Sequence, residues 1–162
     1  MSRRKHHHSD RDIFYTPDVI AKACIDSIPM EKNDLVCDCC KGVDKSPFYD
    51  NIPTDMRKEW YEIGLERDFL ECMEKYDWVV GNIPFSMPKQ FIEKMSDCSV
   101  KGFGILCLSN SMTTTRLKNL EKKGFFLNKE INLYIREWGF GYKTCFYVFT
   151  RTPSASFVNM VL

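Results

Sequence analysis

A chain of 162 residues that is 44% apolar or cysteine and 14% aromatic is long enough for one domain with a real core and too apolar to stay disordered. Its apolar runs last a few residues, far short of the roughly 20 that a membrane helix needs. The basic N-terminus has no apolar segment behind it of the kind a secretory signal carries. All three histidines fall at positions 6, 7 and 8. That argues against Ser-His-Asp or Cys-His hydrolysis and against histidine-based metal catalysis.

Eight cysteines with no export signal read as reduced thiols of an intracellular protein, in the cytoplasm or with the host nucleoid or nucleus. Cys37, Cys39 and Cys40 lack zinc-site spacing, so no metal is expected. The net charge of +1 hides an uneven distribution. Residues 1–11 carry four Lys/Arg against one Asp, residues 12–100 ten against eighteen Asp/Glu, and residues 101–151 nine against three. Basic ends around an acidic middle suit a chain whose ends touch a polyanion. Ordinary solvated faces give the same counts.

In chain order, residues 1–11 read as a flexible basic arm, 12–152 as the domain and 153–162 as a C-terminal tail. Residues 17–28 read as a helix, with Thr16 as N-cap and Pro17 at the first helical position. Residues 34–38 read as a short buried strand and 39–47 as a loop. A short helix from Phe48 meets Pro53, and a better helix is expected over 54–60. Residues 60–63 read as a strand, and 68–74 hold a helical turn. Residues 77–81 are a buried strand, 88–96 an amphipathic helix and 102–108 another buried strand. Residues 113–123 read as a helix closed by Gly124. Two strands, 125–135 and 144–151, follow.

Alternating strands and helices with a final strand pair predict an α/β fold with a mostly parallel sheet and an antiparallel final strand. Ligands in such sheets bind at the carboxyl ends of the parallel strands. Three polar residues stand at those ends: Asp38, Glu62 and Asn82. Asp38 leads into a loop with Gly42, where backbone can approach a ligand. Glu62 can accept hydrogen bonds from ribose hydroxyls, and Asp68 can accept from a base amine. Taken singly, each is also an ordinary solvated carboxylate.

In Asn82-Ile83-Pro84-Phe85, the Asn82 side-chain oxygen and the Ile83 carbonyl are two acceptors on a stiff turn, suited to an NH₂ group. Phe85 offers a ring on which its carrier can stack. A plain Asn-Pro turn is the alternative. Trp138, Phe140, Tyr142 and Lys143 place aromatics and a cation in a glycine-rich loop, suited to unpaired bases. A hairpin with packed aromatics is the alternative there.

The segment NIPF resembles the [Asn/Asp/Ser]-Pro-Pro-[Tyr/Phe/Trp] motif of S-adenosylmethionine-dependent amino-methyltransferases. The chain resembles the adenine-N6 DNA methyltransferases whose cofactor motifs precede the catalytic one. FYTP (14–17), LVCDCCKG (35–42), YEI (61–63), RDFL (67–70) and DWVVGNIPFS (77–86) match that family's motifs in order.

The resemblance implies a Rossmann-like methyltransferase fold, trimmed between the second and fourth strands, with S-adenosylmethionine as cofactor. It implies that Tyr15, Thr16 and Pro17 belong to the cofactor segment, with Thr16 and Pro17 near the methionine end. Asp38 and Gly42 line the cofactor loop, Glu62 meets the ribose, and Asp68 and Phe69 hold the adenine. Asn82 and the Ile83 carbonyl hold the target amine, Pro84 stiffens the turn, and Phe85 stacks on a flipped base.

The loop after Asp38 departs from the family pattern: Cys39 replaces a proline, and a second glycine is missing. The expected partner is nucleic acid, DNA foremost, with no membrane. Because no target-recognition domain is expected to follow, a protein partner is a second source of sequence recognition. So compact a core suits a phage, a virus or a mobile element. The alternatives are methylation of an RNA base or a protein glutamine, or a non-catalytic module that binds nucleic acid or an active partner.

Overall fold

A computed structural model describes residues 14–139 and 143–153. Six strands form one sheet: β1 (Leu35–Asp38), β2 (Arg57–Trp60), β3 (Tyr76–Asn82), β4 (Ser99–Leu108), β5 (Phe126–Leu133) and β6 (Thr144–Thr150), in the order β2-β1-β3-β4-β6-β5. β1 pairs in parallel with β2 and β3, and β3 with β4. β6 is antiparallel to both β4 and β5. This is the expected mostly parallel sheet with an antiparallel end.

Among the described residues four α-helices cover the two faces: α1 (Asp18–Asp26), α2 (Pro47–Asn51), α3 (Pro88–Cys98) and α4 (Thr114–Lys122). Successive strand residues point to opposite faces, and the core divides accordingly. Val36, Trp78, Val80, Leu106, Phe146 and Val148 pack with α1 and α2. Cys37, Val79, Phe103, Ile105, Cys145 and Phe149 pack with α3 and with Leu120 of α4. α3 turns Phe91, Ile92 and Met95 inward, the stripe of a one-sided helix. No helix among the described residues is long and apolar enough to cross a membrane.

Two local expectations are corrected. The short helix near Phe48 forms, as Pro47–Asn51, but residues 54–60 are not a helix: Arg57–Trp60 is a strand. Arg57, Lys58 and Glu59 are good helix formers. They lie on an edge strand whose pairing from Leu35↔Arg57 to Asp38↔Trp60 overrides that preference. Thr16 is not the N-cap of α1. Pro17 holds that position, and its carbonyl accepts from the Ile20 and Ala21 amides, each at 3.0 Å.

Between β2 and β3 the chain makes only two single 3₁₀ turns, Ile63–Leu65 and Phe69–Glu71. The crossover is trimmed there, as expected. The chain runs outward from β1 to β2 and returns to β3 on the other side of β1. Such a reversal opens a crevice at the carboxyl ends of β1 and β3.

Candidate active site

Asp38 and Asn82 are the last residues of β1 and β3. The Cys39 amide donates to the Val80 carbonyl at 2.9 Å, which draws the two strand ends together. Gly81 permits that approach, because a Cβ there would stand 2.7 Å from Cys39 Sγ. A cavity of about 200 Å³ opens at these ends. Tyr15, Thr16, Asp38, Gly42, Glu62, Asp68, Phe69, Asn82 and Pro84 all line it, gathered from five separate stretches of sequence. Pro17, Ile83, Phe85, Trp138 and Lys143 lie outside its lining.

Asp38 is 1% exposed. One carboxylate oxygen, Oδ1, accepts from the Cys40 amide at 3.0 Å. The other, Oδ2, is buried with no hydrogen-bond partner. Burial pushes the pKa up to about 7, opposed by the Cys40 amide and, outside hydrogen-bonding geometry, by that of Tyr49. A buried polar atom left without a partner is the feature a bound ligand resolves. Gly42 has φ +89, and a Cβ there would sit 2.3 Å from the Lys45 carbonyl oxygen. Only glycine suits that turn.

Glu62 lies two residues beyond β2 rather than on its end, and caps the turn that follows. Its Oε2 accepts from the Gly42 amide at 2.8 Å and its Oε1 from the Gly64 amide at 3.0 Å. A carboxylate has about four acceptor positions, so further donors can still bind. Asp68 Oδ1 accepts from the Leu70 amide at 2.9 Å and leads into the second turn. The next residue, Phe69, is buried against Phe91, with ring centroids 6.1 Å apart.

The Asn82–Phe85 turn starts from the sheet. The Ile83 amide donates to the Leu106 carbonyl at 3.3 Å, and the Met87 amide to the Pro84 carbonyl at 3.1 Å. The Asn82 amide nitrogen donates to the Phe14 carbonyl at 2.6 Å and to Thr16 Oγ1 at 3.3 Å. The Phe85 ring stacks on Phe14 at 5.6 Å and 16°, with Trp138 edge-on at 5.8 Å. The Trp138 indole N–H donates to the Tyr15 carbonyl at 2.9 Å. Trp138 is thus packed into the fold, half-buried beside the strand end, while Lys143 is exposed. Phe140 and Tyr142 lie outside the described residues, as do the arm and all but Pro153 of the tail.

Phe14, not among the site residues expected from the sequence, also lines the cavity. Its signal was the aromatic that opens FYTP. Cys39 and Cys40 also line the cavity. Burial pushes both thiols above the ordinary range, so they stand uncharged there and are poor nucleophiles. Much of the basic C-terminal third is engaged within the fold. Lys101 pairs with Glu31 and Asp34, Lys123 with Asp97, and Arg151 donates to the backbone carbonyls of Ser99, Val100 and Lys123.

The architecture matches solved structures. A candidate class I S-adenosylmethionine-dependent methyltransferase from Listeria monocytogenes matches with a TM-score of 0.63 at 13% identity, over 98% of this chain and 68% of that one. The chain has the Rossmann-like methyltransferase fold.

The methyltransferase subunit of a type I restriction-modification system from Streptococcus thermophilus matches at 0.63 and 12% identity, over 90% of this chain and 47% of that one. Magnesium protoporphyrin IX methyltransferase from Synechocystis, solved with S-adenosylmethionine bound, matches at 0.51 and 8% identity, over 83% and 77%. The chain thus spans about half the length of the restriction-modification subunit. At these identities the likeness is one of fold, and the fold serves unrelated substrates. No protein-family model matches the sequence, and no curated protein matches it.

Proposed function

We propose that this chain is an S-adenosylmethionine-dependent amino-methyltransferase that acts on the N6 amine of adenine in DNA. The observation that carries the proposal is the Asn82–Phe85 turn, whose Asn82 and Pro84 line a cavity shared with Thr16, Asp38, Glu62 and Asp68.

The donor set of the lining supports a cationic nucleoside cofactor. S-adenosylmethionine is a net cation with an adenosine end. The walls supply three carboxylates, one with an unpartnered buried oxygen. Thr16, Asp38 and the Gly42 loop would hold the methionine end, Glu62 the ribose hydroxyls, and Asp68 with Phe69 the adenine. When bound, the cofactor supplies an electrophilic methyl group.

The chain's own residues hold the acceptor. Asn82 Oδ1 and the Ile83 carbonyl take the two N–H groups of the amine, which turns the nitrogen lone pair out of conjugation. Phe85 supplies the flat surface for the ring that bears the amine, and a flipped base reaches it by replacing the Phe14 ring. The work is positioning, so no acid or metal is required. The proton released by the methylated nitrogen passes to solvent.

Exposed Lys143 and Arg136 beside Trp138 favour a nucleic-acid substrate over a protein glutamine. That loop, the N-terminal arm and a protein partner are sources of target recognition. A second reading, a non-catalytic module, is favoured by one observation: Phe14 already covers Phe85.

Calorimetric titration with S-adenosylmethionine and its demethylated product separates the two readings. Micromolar binding that is lost in Asp38→Ala and Glu62→Ala supports the enzyme. Salt-dependent DNA or RNA binding without cofactor binding supports the module.

A further inference from the structure

An asparagine amide has two ends of nearly equal shape and opposite hydrogen-bonding sense. Which end faces a methyl acceptor decides whether the turn attracts or repels an N–H group. In this fold the choice is made from 68 residues away.

We propose that the strap Phe14–Thr16 is the positioning element of Asn82, fixing its amide so that Oδ1 and not Nδ2 is presented to the acceptor. The role as acceptor site rests on the amino-methyltransferase reading; the orientation itself does not. The Phe14 carbonyl can only accept, so the side-chain atom 2.6 Å from it has to be the nitrogen. Thr16 Oγ1, on a residue 3% exposed, takes the same nitrogen. The reversed amide would set two acceptor oxygens against each other and turn an N–H toward the incoming N–H.

The strap is itself held. Trp138 donates to the Tyr15 carbonyl, the Phe14 ring stacks on Phe85, and the Pro17 carbonyl accepts from two amides of α1. The segment joins the catalytic turn to the cavity wall, since Tyr15 and Thr16 line the cavity as well.

Asn82→Asp tests this without cofactor or substrate. An aspartate brings two acceptors, one of them facing the Phe14 carbonyl. Protonation relieves that contact, so the carboxyl's folded-state pKa lies above the unfolded value of about 3.9. Its favourable contribution is full below the unfolded pKa and is lost as pH rises through the folded one.

The expected result is a melting-temperature deficit, relative to the parent chain, that grows from below about 1 °C at about pH 3.5 to about 4 °C or more at about pH 8. Asn82→Ala should show a deficit independent of pH. Asp38, Lys41, Glu62, Asp68 and Tyr15 share the cavity with Asn82 and are the same in all three chains. A pH-independent deficit for Asn82→Asp overturns the proposal.

If that variant fails to fold at every pH, the ¹⁵N-labelled parent supplies the answer. One Asn82 side-chain N–H should be shifted downfield and protected from exchange, and Thr16→Val should move its resonance. Exchange as fast as in a free asparagine overturns the proposal. Methyl transfer to DNA is a separate arm: its failure in the parent contradicts the enzymatic reading and leaves the orientation result standing.

Discussion

The Glu62 carboxylate accepts from the Gly42 backbone amide at 2.8 Å, tying the turn after β2 to the loop after β1. The same carboxylate holds the Gly64 amide. Glu62 therefore shapes the cavity as well as facing it. Glu62→Ala removes both bonds and should lower the unfolding free energy by about 1–2 kcal/mol, read by urea denaturation. It should also weaken S-adenosylmethionine binding by at least about tenfold, since one charge-assisted hydrogen bond already contributes that much. Glu62→Gln keeps one acceptor oxygen. It should retain most of the stability and lose more of the binding.

Asp38 sets a pH dependence. Its pKa of about 7 lies above the unfolded value of about 3.9 because the carboxylate is buried. The folded state therefore holds the proton more firmly. The associated stability is full below the unfolded pKa and is lost as pH rises through about 7. Asp38→Asn removes this loss. The melting temperature of Asp38→Asn minus that of the parent should rise by several degrees between pH 5 and pH 8, against an upper limit of about 4 kcal/mol. Binding of the cationic cofactor should tighten across the same interval in the parent and stay flat in Asp38→Asn.

How far the sequence foretells these relationships depends on what kind of residue carries them. Asp38 and Asn82 were legible as strand ends because each closes a buried apolar run, and buried strands announce themselves by composition. Glu62 was legible as a residue but misplaced by two positions. Its strand is a charged edge whose pairing with β1, not its own pattern, makes it extended.

Thr16 was read as a helix cap, which its type favours. The structure commits its hydroxyl to Asn82, a contact across 66 residues that no local pattern encodes. Phe85 was read as an open stacking face, and the structure stacks Phe14 on it. Pairing of that kind is decided by tertiary packing.

Phe85 and Phe14 should differ in effect. Phe85→Ala removes the proposed stacking surface. It should lower kcat/KM for a DNA substrate by about 10–100-fold, in line with the 1–3 kcal/mol typical of base–aromatic stacking. Cofactor affinity should hold, because Phe85 does not line the cavity. Phe14→Ala removes the ring stacked on Phe85 and keeps the backbone carbonyl that holds Asn82. It should lower KM for DNA. Steady-state kinetics over a range of DNA concentrations separates the two effects.

Asn82 is proposed to hold an adenine amine for methylation. The most direct test incubates the chain with isotopically labelled S-adenosylmethionine and adenine-containing DNA, then looks for N6-methyladenine by mass spectrometry after digestion. Asn82→Ala is run beside it, with cofactor binding measured on both chains. Labelled N6-methyladenine is expected from the parent. Asn82→Ala should lose at least about 100-fold, as for removal of a group that positions the reacting atom, with cofactor binding preserved. A parent chain that binds the cofactor yet methylates no adenine, or an Asn82→Ala variant that methylates as well as the parent, would contradict that role of Asn82.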